Sequence, residues 1–180
     1  MRVASFLVIV LTSLAAIAES ATLELKGINL GDTKKQIVAK HKGLVCQPNS
    51  CTHLNYGHPH TTVPTLDTFA SEHVKTWHFL FSKTGILESS RITMERVDSA
   101  HLLSILIEKY GSPQSRRTSE FKTVMGVKVA QVTADWKAGD TELTFTSPDS
   151  MITESTLDLT SASARTRRLK EFEQKIKKDM

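Results

Sequence analysis

The segment 51–60 concentrates the side chains of this sequence whose types and spacing could do chemistry. It holds His53, His58 and His60 within eight residues, and imidazole nitrogens are common ligands of zinc and copper. The regular i, i+4 spacing of a helical zinc site is missing, and the intervening glycine and proline indicate a turn. The sequence leaves two interpretations open: a solvated polar turn, which we expect, and a metal- or small-ligand-binding loop.

Catalytic motifs are otherwise scarce. The sequence contains no Gly-x-Ser-x-Gly elbow, and its eight glycines are scattered at predicted turns rather than grouped in a phosphate-binding loop. Its carboxylates show no pairing along the chain. We therefore expect a non-enzymatic protein without a cofactor, with a hydrolase assembled from distant residues as the remaining enzymatic alternative.

The two cysteines, Cys46 and Cys51, are the whole cysteine complement of the chain. In an oxidising compartment such a pair is expected to form a disulfide, and Pro48 and Asn49 suit the tight turn that it would close. The chain-entropy treatment gives so small a loop about 2 kcal/mol of stabilisation. The alternative is half of a zinc site completed by His53, which the lack of a second cysteine pair disfavours.

The N-terminus has the pattern of a secretory signal peptide over residues 1–18. Arg2 precedes an apolar run, and Ala16-Ile17-Ala18 is a small-x-small cleavage pattern. The apolar stretch 3–18 has sixteen residues, whereas a membrane-spanning helix needs about 20. We expect cleavage after Ala18 and a periplasmic or secreted mature protein.

The remaining 162 positions predict an α+β fold. With 39% hydrophobic and 23% charged residues, the chain has the composition of a globular protein rather than a disordered one. Helices are predicted at 32–42, where Thr33 and Gln36 have capping-box spacing, and at 98–110, which has an apolar stripe at a 3.6-residue period and is followed by Gly111. Alternating or β-rich segments predict strands at 74–82, 86–94, 121–124, 127–137, 141–146 and 152–160.

These elements recur in the same order, which predicts a duplication. Each unit, 19–96 and 97–163, reads as a helix, a glycine, a polar connection and a Trp-bearing strand followed by further strands, with Trp77 matching Trp136. Units of this size are too small to bury separate cores. We expect two tandem helix-then-strands units that form one antiparallel sheet with the helices on one face, followed by a C-terminal helix at 164–180.

Two phrases of the sequence carry a family resemblance. The opening Lys26-Gly27-Ile28-Asn29-Leu30-Gly31-Asp32-Thr33 and the phrase Ile105-Leu106-Ile107-Glu108-Lys109-Tyr110-Gly111-Ser112-Pro113 resemble those of a superfamily of small bacterial exported domains. It includes the beta-lactamase inhibitory protein and the small lipoproteins of outer-membrane protein assembly. The resemblance implies protein binding rather than catalysis, although this chain lacks a lipid-attachment cysteine after the leader.

The C-terminal segment carries the charge of the whole chain. Residues 165–180 hold seven basic and three acidic side chains, a sum of +4 that equals the net charge of the protein. Leu169, Phe172, Ile176 and Met180 form a narrow apolar stripe on a helix. Such a helix can bind a partner or make peripheral contact with anionic lipid, but we expect the stripe to fold back onto the sheet. Nucleic acid is not an expected partner, since no aromatic platform accompanies the charge.

The sequence as a whole predicts an exported protein-binding module, inhibitor-like or assembly-accessory, whose partner is another envelope or secreted protein. It does not indicate an oligomeric state. The candidate partner-binding residues are Trp77, Trp136, Arg167, Arg168 and Phe172. The two tryptophans also fit the core, because other apolar residues recur on the same face of their strands.

Overall fold

The computed structural model describes residues 23–54, 66–95, 97–122, 126–149 and 152–179. The predicted signal peptide at 1–18, as well as His58 and His60, lie outside these residues. Within them the chain forms three helices, α1 (Lys34–Lys40), α2 (Ser99–Tyr110) and α3 (Ala162–Asp179). The strands are β1 Val45–Gln47, β2 Ser50–Leu54, β3 Thr68–Phe69, β4 Glu72–Phe81, β5 Leu87–Glu95, β6 Ser115–Lys122, β7 Lys128–Ala138, β8 Thr141–Ser147 and β9 Glu154–Ser161.

The strands form one antiparallel sheet, so the predicted mixed α+β class is confirmed. Their order is β1-β2-β4-β5-β9-β8-β7-β6, with β3 paired to β4 off this path. Strands β5 and β9 pair at the centre, with Arg91 opposite Asp158 and Ile92 opposite Leu157. In the described part of the chain, no helix is long and apolar enough to cross a membrane.

The capping box predicted at Thr33 and Gln36 is confirmed, and α2 also begins at a capping residue, Asp98. At α1 the Gln36 amide donates to Thr33 Oγ1, and the Thr33 amide donates to Gln36 Oε1 at 2.7 Å, which completes a capping box. At α2 the carboxylate of Asp98 accepts from the first free backbone amides. Helix α2 ends at Gly111, whose φ of 80° suits a residue without a Cβ atom.

The core lies against one face of the sheet. Trp77 and Phe79 of β4 alternate with exposed neighbours, and their rings stack with centroids 5.6 Å apart. Trp136 of β7 meets the ring of Tyr110 of α2 edge-on at 6.4 Å. Ile37 of α1 belongs to the same buried cluster as these aromatic residues, so both helices contribute to a core shared with the sheet.

The sequence missed β1, β2 and β3 and placed the start of β6 six residues too late, at residue 121. Strand β6 lies at the sheet edge, and positions 116–120 are exposed, so the alternation that marks a half-buried strand is absent there.

The disulfide prediction is confirmed: Cys46 and Cys51 are cross-strand partners in β1 and β2 and are bonded to each other. Pro48 and Asn49 occupy the turn between these two strands.

The proposed match between the tryptophans does not agree with the strand positions. Trp77 is on β4, directly beside the central pair β5–β9, whereas Trp136 is on β7, one strand further out on the other side. The sequence equated them because each is on a strand that follows a helix and a polar connection. Strands β1 and β2 precede β4 in the first half of the sheet, so Trp77 lies on the third strand of its half and Trp136 on the second strand of its own. The short strands β1 and β2 carry little sequence signal.

Candidate binding cleft between the sheet and the C-terminal helix

A row of polar side chains crosses the centre of the sheet on the face opposite the buried tryptophans. His78, Arg91, Asp158 and Thr144 are successive cross-strand partners on β4, β5, β9 and β8. Side chains alternate between the two faces of a strand, so His78 points away from the side on which Trp77 and its neighbours are buried. This row forms the floor of a cleft.

A second row lies two residues further along the same strands, and Leu80 is its apolar member. Leu80 on β4 pairs with Ser89 on β5, which in turn pairs with Thr160 on β9. Leu80 is 41% exposed, which is unusual for a leucine near the middle of a sheet. The cleft floor is therefore polar except at Leu80.

The start of α3 forms the side of the cleft opposite this floor. Arg165, Arg168 and Leu169 face the two rows across a cavity of about 550 Å³. Because α3 follows β9 with no intervening loop, the helix leaves the central pair of strands directly and begins beside the polar row.

The first turn of α3 is fixed to the β7–β8 turn through Asp140. Its carboxylate accepts from the Ser163 amide at 2.9 Å, from Ser163 Oγ at 2.7 Å and from Ser161 Oγ at 2.5 Å. These hydrogen bonds stabilise the charged carboxylate, with the Ser161 bond contributing most, and hold the pKa of Asp140 below its ordinary value. The Ala162 amide also donates to the Asp140 carbonyl, so the helix start is anchored on both sides.

Ion pairs fix the next turn of α3. Arg165 Nη1 lies 3.0 Å from Glu142 Oε2 on β8, and Arg167 pairs with Glu88 on β5. Arg167, which the sequence offered as a partner-binding residue, is therefore bound to the protein's own sheet. Arg168 differs: its Nε donates to the Ala164 carbonyl, and no acidic partner is found for it among the described residues.

The floor of the cleft contains a two-point ion pair. Arg91 donates to the Asp158 carboxylate from Nε at 2.6 Å and from Nη2 at 3.1 Å. Beside it, His78 Nδ1 lies 3.1 Å from Thr52 Oγ1. Burial, together with the nearby charge of Arg91, lowers the pKa of His78, which favours the neutral imidazole. Three arginines and one aspartate line the cleft, so its charge is positive.

The apolar stripe of α3 is exposed, which makes the predicted folding back onto the sheet wrong. Leu169, Phe172 and Ile176 are 58%, 62% and 44% exposed. Their helical spacing places them on the same side as Arg165, the side that faces the cleft. The sheet face beside α3 is the polar one, so it offers the stripe few apolar contacts.

The two tryptophans, which the sequence offered as partner-binding candidates that also fit the core, are buried. Trp77 is 0% and Trp136 2% exposed. Their indole N–H groups are also engaged, Trp77 with Ser90 Oγ at 2.6 Å and Trp136 with the Gly111 carbonyl at 2.7 Å. Both belong to the buried cluster that also contains side chains of α1 and α2.

His53 is a buried histidine with a protein partner. It is 1% exposed, and its Nε2 lies 3.0 Å from Asp67 Oδ1. Across the ranges that the structure describes, no group of three or more His, Cys, Asp or Glu side chains is placed to hold a metal ion. Since His58 and His60 lie outside those ranges, the three-histidine site stays a prediction.

Sequence reasoning missed most of the cleft. Arg91 and Asp158 lie 67 positions apart, and only the β5–β9 pairing brings them together. Leu80 carries a local signal, since it alternates with Phe79 and Phe81 along β4 and so falls on the face opposite Trp77. Arg168 and Phe172, which the sequence offered as partner-binding candidates, both lie on α3, where Arg168 is half-buried and Phe172 is exposed.

Comparison with protein-family models, with curated proteins and with solved structures finds no match to this chain. The contacts, exposure and charge of the cleft and of α3 therefore carry the functional argument.

Proposed function

We propose that this protein is a non-enzymatic binding module for another protein of the cell envelope or the extracellular space, acting as an inhibitor or as an assembly accessory. The observation that carries the proposal is the exposed row formed by Leu169, Phe172 and Ile176 on a helix whose base is fixed beside a cleft. Large apolar side chains aligned on one face of an otherwise charged helix are typical of a surface that a partner covers.

The anchoring of α3 supports a binding role. A helix whose base moved freely would lose more conformational freedom when a partner bound to it, and this loss would weaken the complex. Here Asp140 fixes the first turn, and Glu142 and Glu88 hold the next one through Arg165 and Arg167. The stripe is therefore presented in a set direction beside the sheet before any partner arrives.

Export is part of the proposal. The Cys46–Cys51 disulfide suits an oxidising compartment, and the leader at 1–18 has the pattern of a secretory signal peptide. A periplasmic or secreted location would bring the protein into contact with envelope or secreted partners. The resemblance to exported inhibitory and assembly proteins points to the same class of function.

We also infer that the fold consists of two tandem helix-then-strands units with both helices on one face. The strand order supports this: each half is a meander that ends at the centre of the sheet, β1-β2-β4-β5 in one half and β6-β7-β8-β9 in the other. The antiparallel β5–β9 pairing would relate the halves by an approximate two-fold axis through the sheet. Helix α1 precedes the first meander and α2 the second.

Site-specific photocross-linking tests the binding role. A photoreactive amino acid replaces Phe172, and in a control chain it replaces Val45, which is 70% exposed on β1 at the far edge of the sheet. Both chains are produced in the source cells and irradiated. We expect a discrete cross-linked protein from position 172 and none from position 45. Identical patterns from the two positions, or no adduct at 172 from a folded chain, would contradict the proposal.

A further inference from the structure

We propose that the cleft and the stripe of α3 receive a narrow acidic segment of the partner polypeptide, one that carries apolar side chains between its carboxylates. This inference rests on the proposed function and specifies the chemistry of the partner. The segment would lie between Leu80 on the sheet and Leu169 on the helix and would continue along Phe172 and Ile176.

The apolar contacts define the shape of the segment. Leu80 on the cleft floor and Leu169 on α3 line opposite sides of the same cavity of about 550 Å³. They are 41% and 58% exposed. A group that covers both must enter between the helix and the sheet. A single extended stretch of polypeptide is the narrowest such group, and its apolar side chains would replace solvent at these leucines.

The charges define the composition of the segment. Arg91, Arg165 and Arg168 line the cleft against one carboxylate of the lining, that of Asp158. Two of these arginines already donate hydrogen bonds to carboxylates, Arg91 to Asp158 and Arg165 to Glu142. Guanidinium groups bind carboxylates through paired hydrogen bonds, so aspartate or glutamate side chains of the segment match the donors that remain.

A second copy of this chain does not fit the surface. Helix α3 holds seven basic and three acidic residues, a net charge of +4. Pairing two such helices along their stripes would bring like charges together, which opposes association.

A membrane surface does not fit the whole surface either. A planar lipid surface could contact Phe172 and Ile176 on the outer part of α3. It could not reach Leu80, which lies on the cleft floor. A polypeptide segment satisfies both the apolar and the charged groups of the cleft, so it is the occupant that we infer.

Selection from a random 16-residue peptide display library tests this inference. The purified protein is the bait, and binding of the enriched peptides is then measured with the wild type, Arg168→Glu, Leu169→Ser and the control Arg116→Glu. Arg116 is exposed on the edge strand β6, so its variant matches the charge reversal of Arg168→Glu away from the cleft. All variants are first checked for unchanged circular dichroism.

We expect enriched peptides to combine Asp or Glu with two or three apolar residues. Their affinity should fall about ten-fold with Arg168→Glu and with Leu169→Ser, should change less than about two-fold with Arg116→Glu, and should weaken as salt is added. Vesicles of phosphatidylglycerol and phosphatidylcholine serve as a second probe, and we expect them to bind more weakly than the peptides.

Three results would overturn the inference. The first is a failure to enrich any peptide, and the second is enrichment of peptides without acidic residues. The third is stronger binding to the anionic vesicles, lost with Arg168→Glu, which would assign the surface to lipid. Peptides that lack acidic residues yet depend on Leu169 would refute the acidic segment alone, because the cross-link from position 172 would still support protein binding.

Discussion

Arg91 and Asp158 face each other across the central strand pair and join through two hydrogen bonds, from Nε at 2.6 Å and from Nη2 at 3.1 Å. The two residues belong to β5 and β9, the last strands of the two halves of the sheet. The same pair lies in the floor of the cleft beside α3. The Arg91–Asp158 pair therefore joins the two central strands and also contributes charged groups to the candidate site.

Neutralising either partner of this pair should shift binding in opposite directions. Asp158→Asn removes the negative charge of the cleft lining and should tighten the binding of acidic peptides by about two-fold, roughly 0.5 kcal/mol for a charge about 8 Å away in water. Arg91→Gln should weaken it by a similar factor. Fluorescence anisotropy titration at low salt measures both changes.

Stability provides the control for these two variants. Arg91 is 56% exposed, and exposed ion pairs contribute less than about 1 kcal/mol to folding. Thermal unfolding of both variants should therefore stay close to that of the wild type. A shift of the affinity in the same direction for both substitutions would rule out a charge effect of the cleft.

The sequence predicted the local elements of the fold better than the contacts between them. The capping box of Thr33, the stripe of α2 and the alternation around Trp77 are all local patterns, and each was confirmed. The pairing of β5 with β9 joins positions about 65 apart and has no such local pattern. The row that contains Arg91 and Asp158 follows from that pairing and so could not be predicted.

The prediction for the C-terminal stripe failed for a related reason. An amphipathic helix shows that it has an apolar face, but the helix pattern does not show which surface lies opposite. Helix α3 follows β9 directly, and its start is tied to Asp140 in the β7–β8 turn. These constraints place the helix beside the polar face of the sheet, where Leu169 and Phe172 remain exposed.

Substitutions at Trp77 and Phe172 should separate stability from binding. Trp77→Phe removes the indole N–H that bonds Ser90 Oγ inside the core, and we expect a loss of about 2–3 kcal/mol in the free energy of unfolding. Phe172→Ser changes a side chain that is 62% exposed, so its stability should stay within about 0.5 kcal/mol of the wild type. Urea unfolding measures both values.

The peptide affinities of these two variants should show the reverse order. Trp77→Phe should leave the affinity unchanged at temperatures where the chain is folded, whereas Phe172→Ser should weaken it. Reduced binding by a fully folded Trp77→Phe variant would mean that the core residue shapes the cleft. An unaltered affinity of Phe172→Ser would remove Phe172 from the binding surface.

The anchor of α3 should weaken in acid. The pKa of Asp140 is lowered in the folded protein, so its contribution to stability is fully present above the unfolded value of about 3.9. That contribution is lost as the pH falls through the folded pKa. The Ser163 amide, which donates to this carboxylate, should follow the titration in NMR spectra with a midpoint below the ordinary pKa of an aspartate.

The Asp140→Asn variant is the control for this titration. An amide side chain has no proton to gain in this range, so the Ser163 amide should no longer titrate. Its hydrogen exchange at neutral pH should be faster than in the wild type, because a neutral acceptor binds the amide less strongly. A wild-type midpoint at or above the ordinary value would mean that Asp140 does not hold the helix start in solution.

Removing the disulfide should destabilise the edge of the sheet while leaving its centre intact. Cys46→Ala with Cys51→Ala should lower the free energy of unfolding by about 2 kcal/mol, since the bridge closes a short loop. Alanine is the suitable replacement because Cys51 is fully buried. Along the main path of the sheet, β1 pairs only with β2, so hydrogen exchange should accelerate in these two strands and remain slow in β5 and β9. Equal acceleration in the central strands would show that the hairpin stabilises the whole sheet.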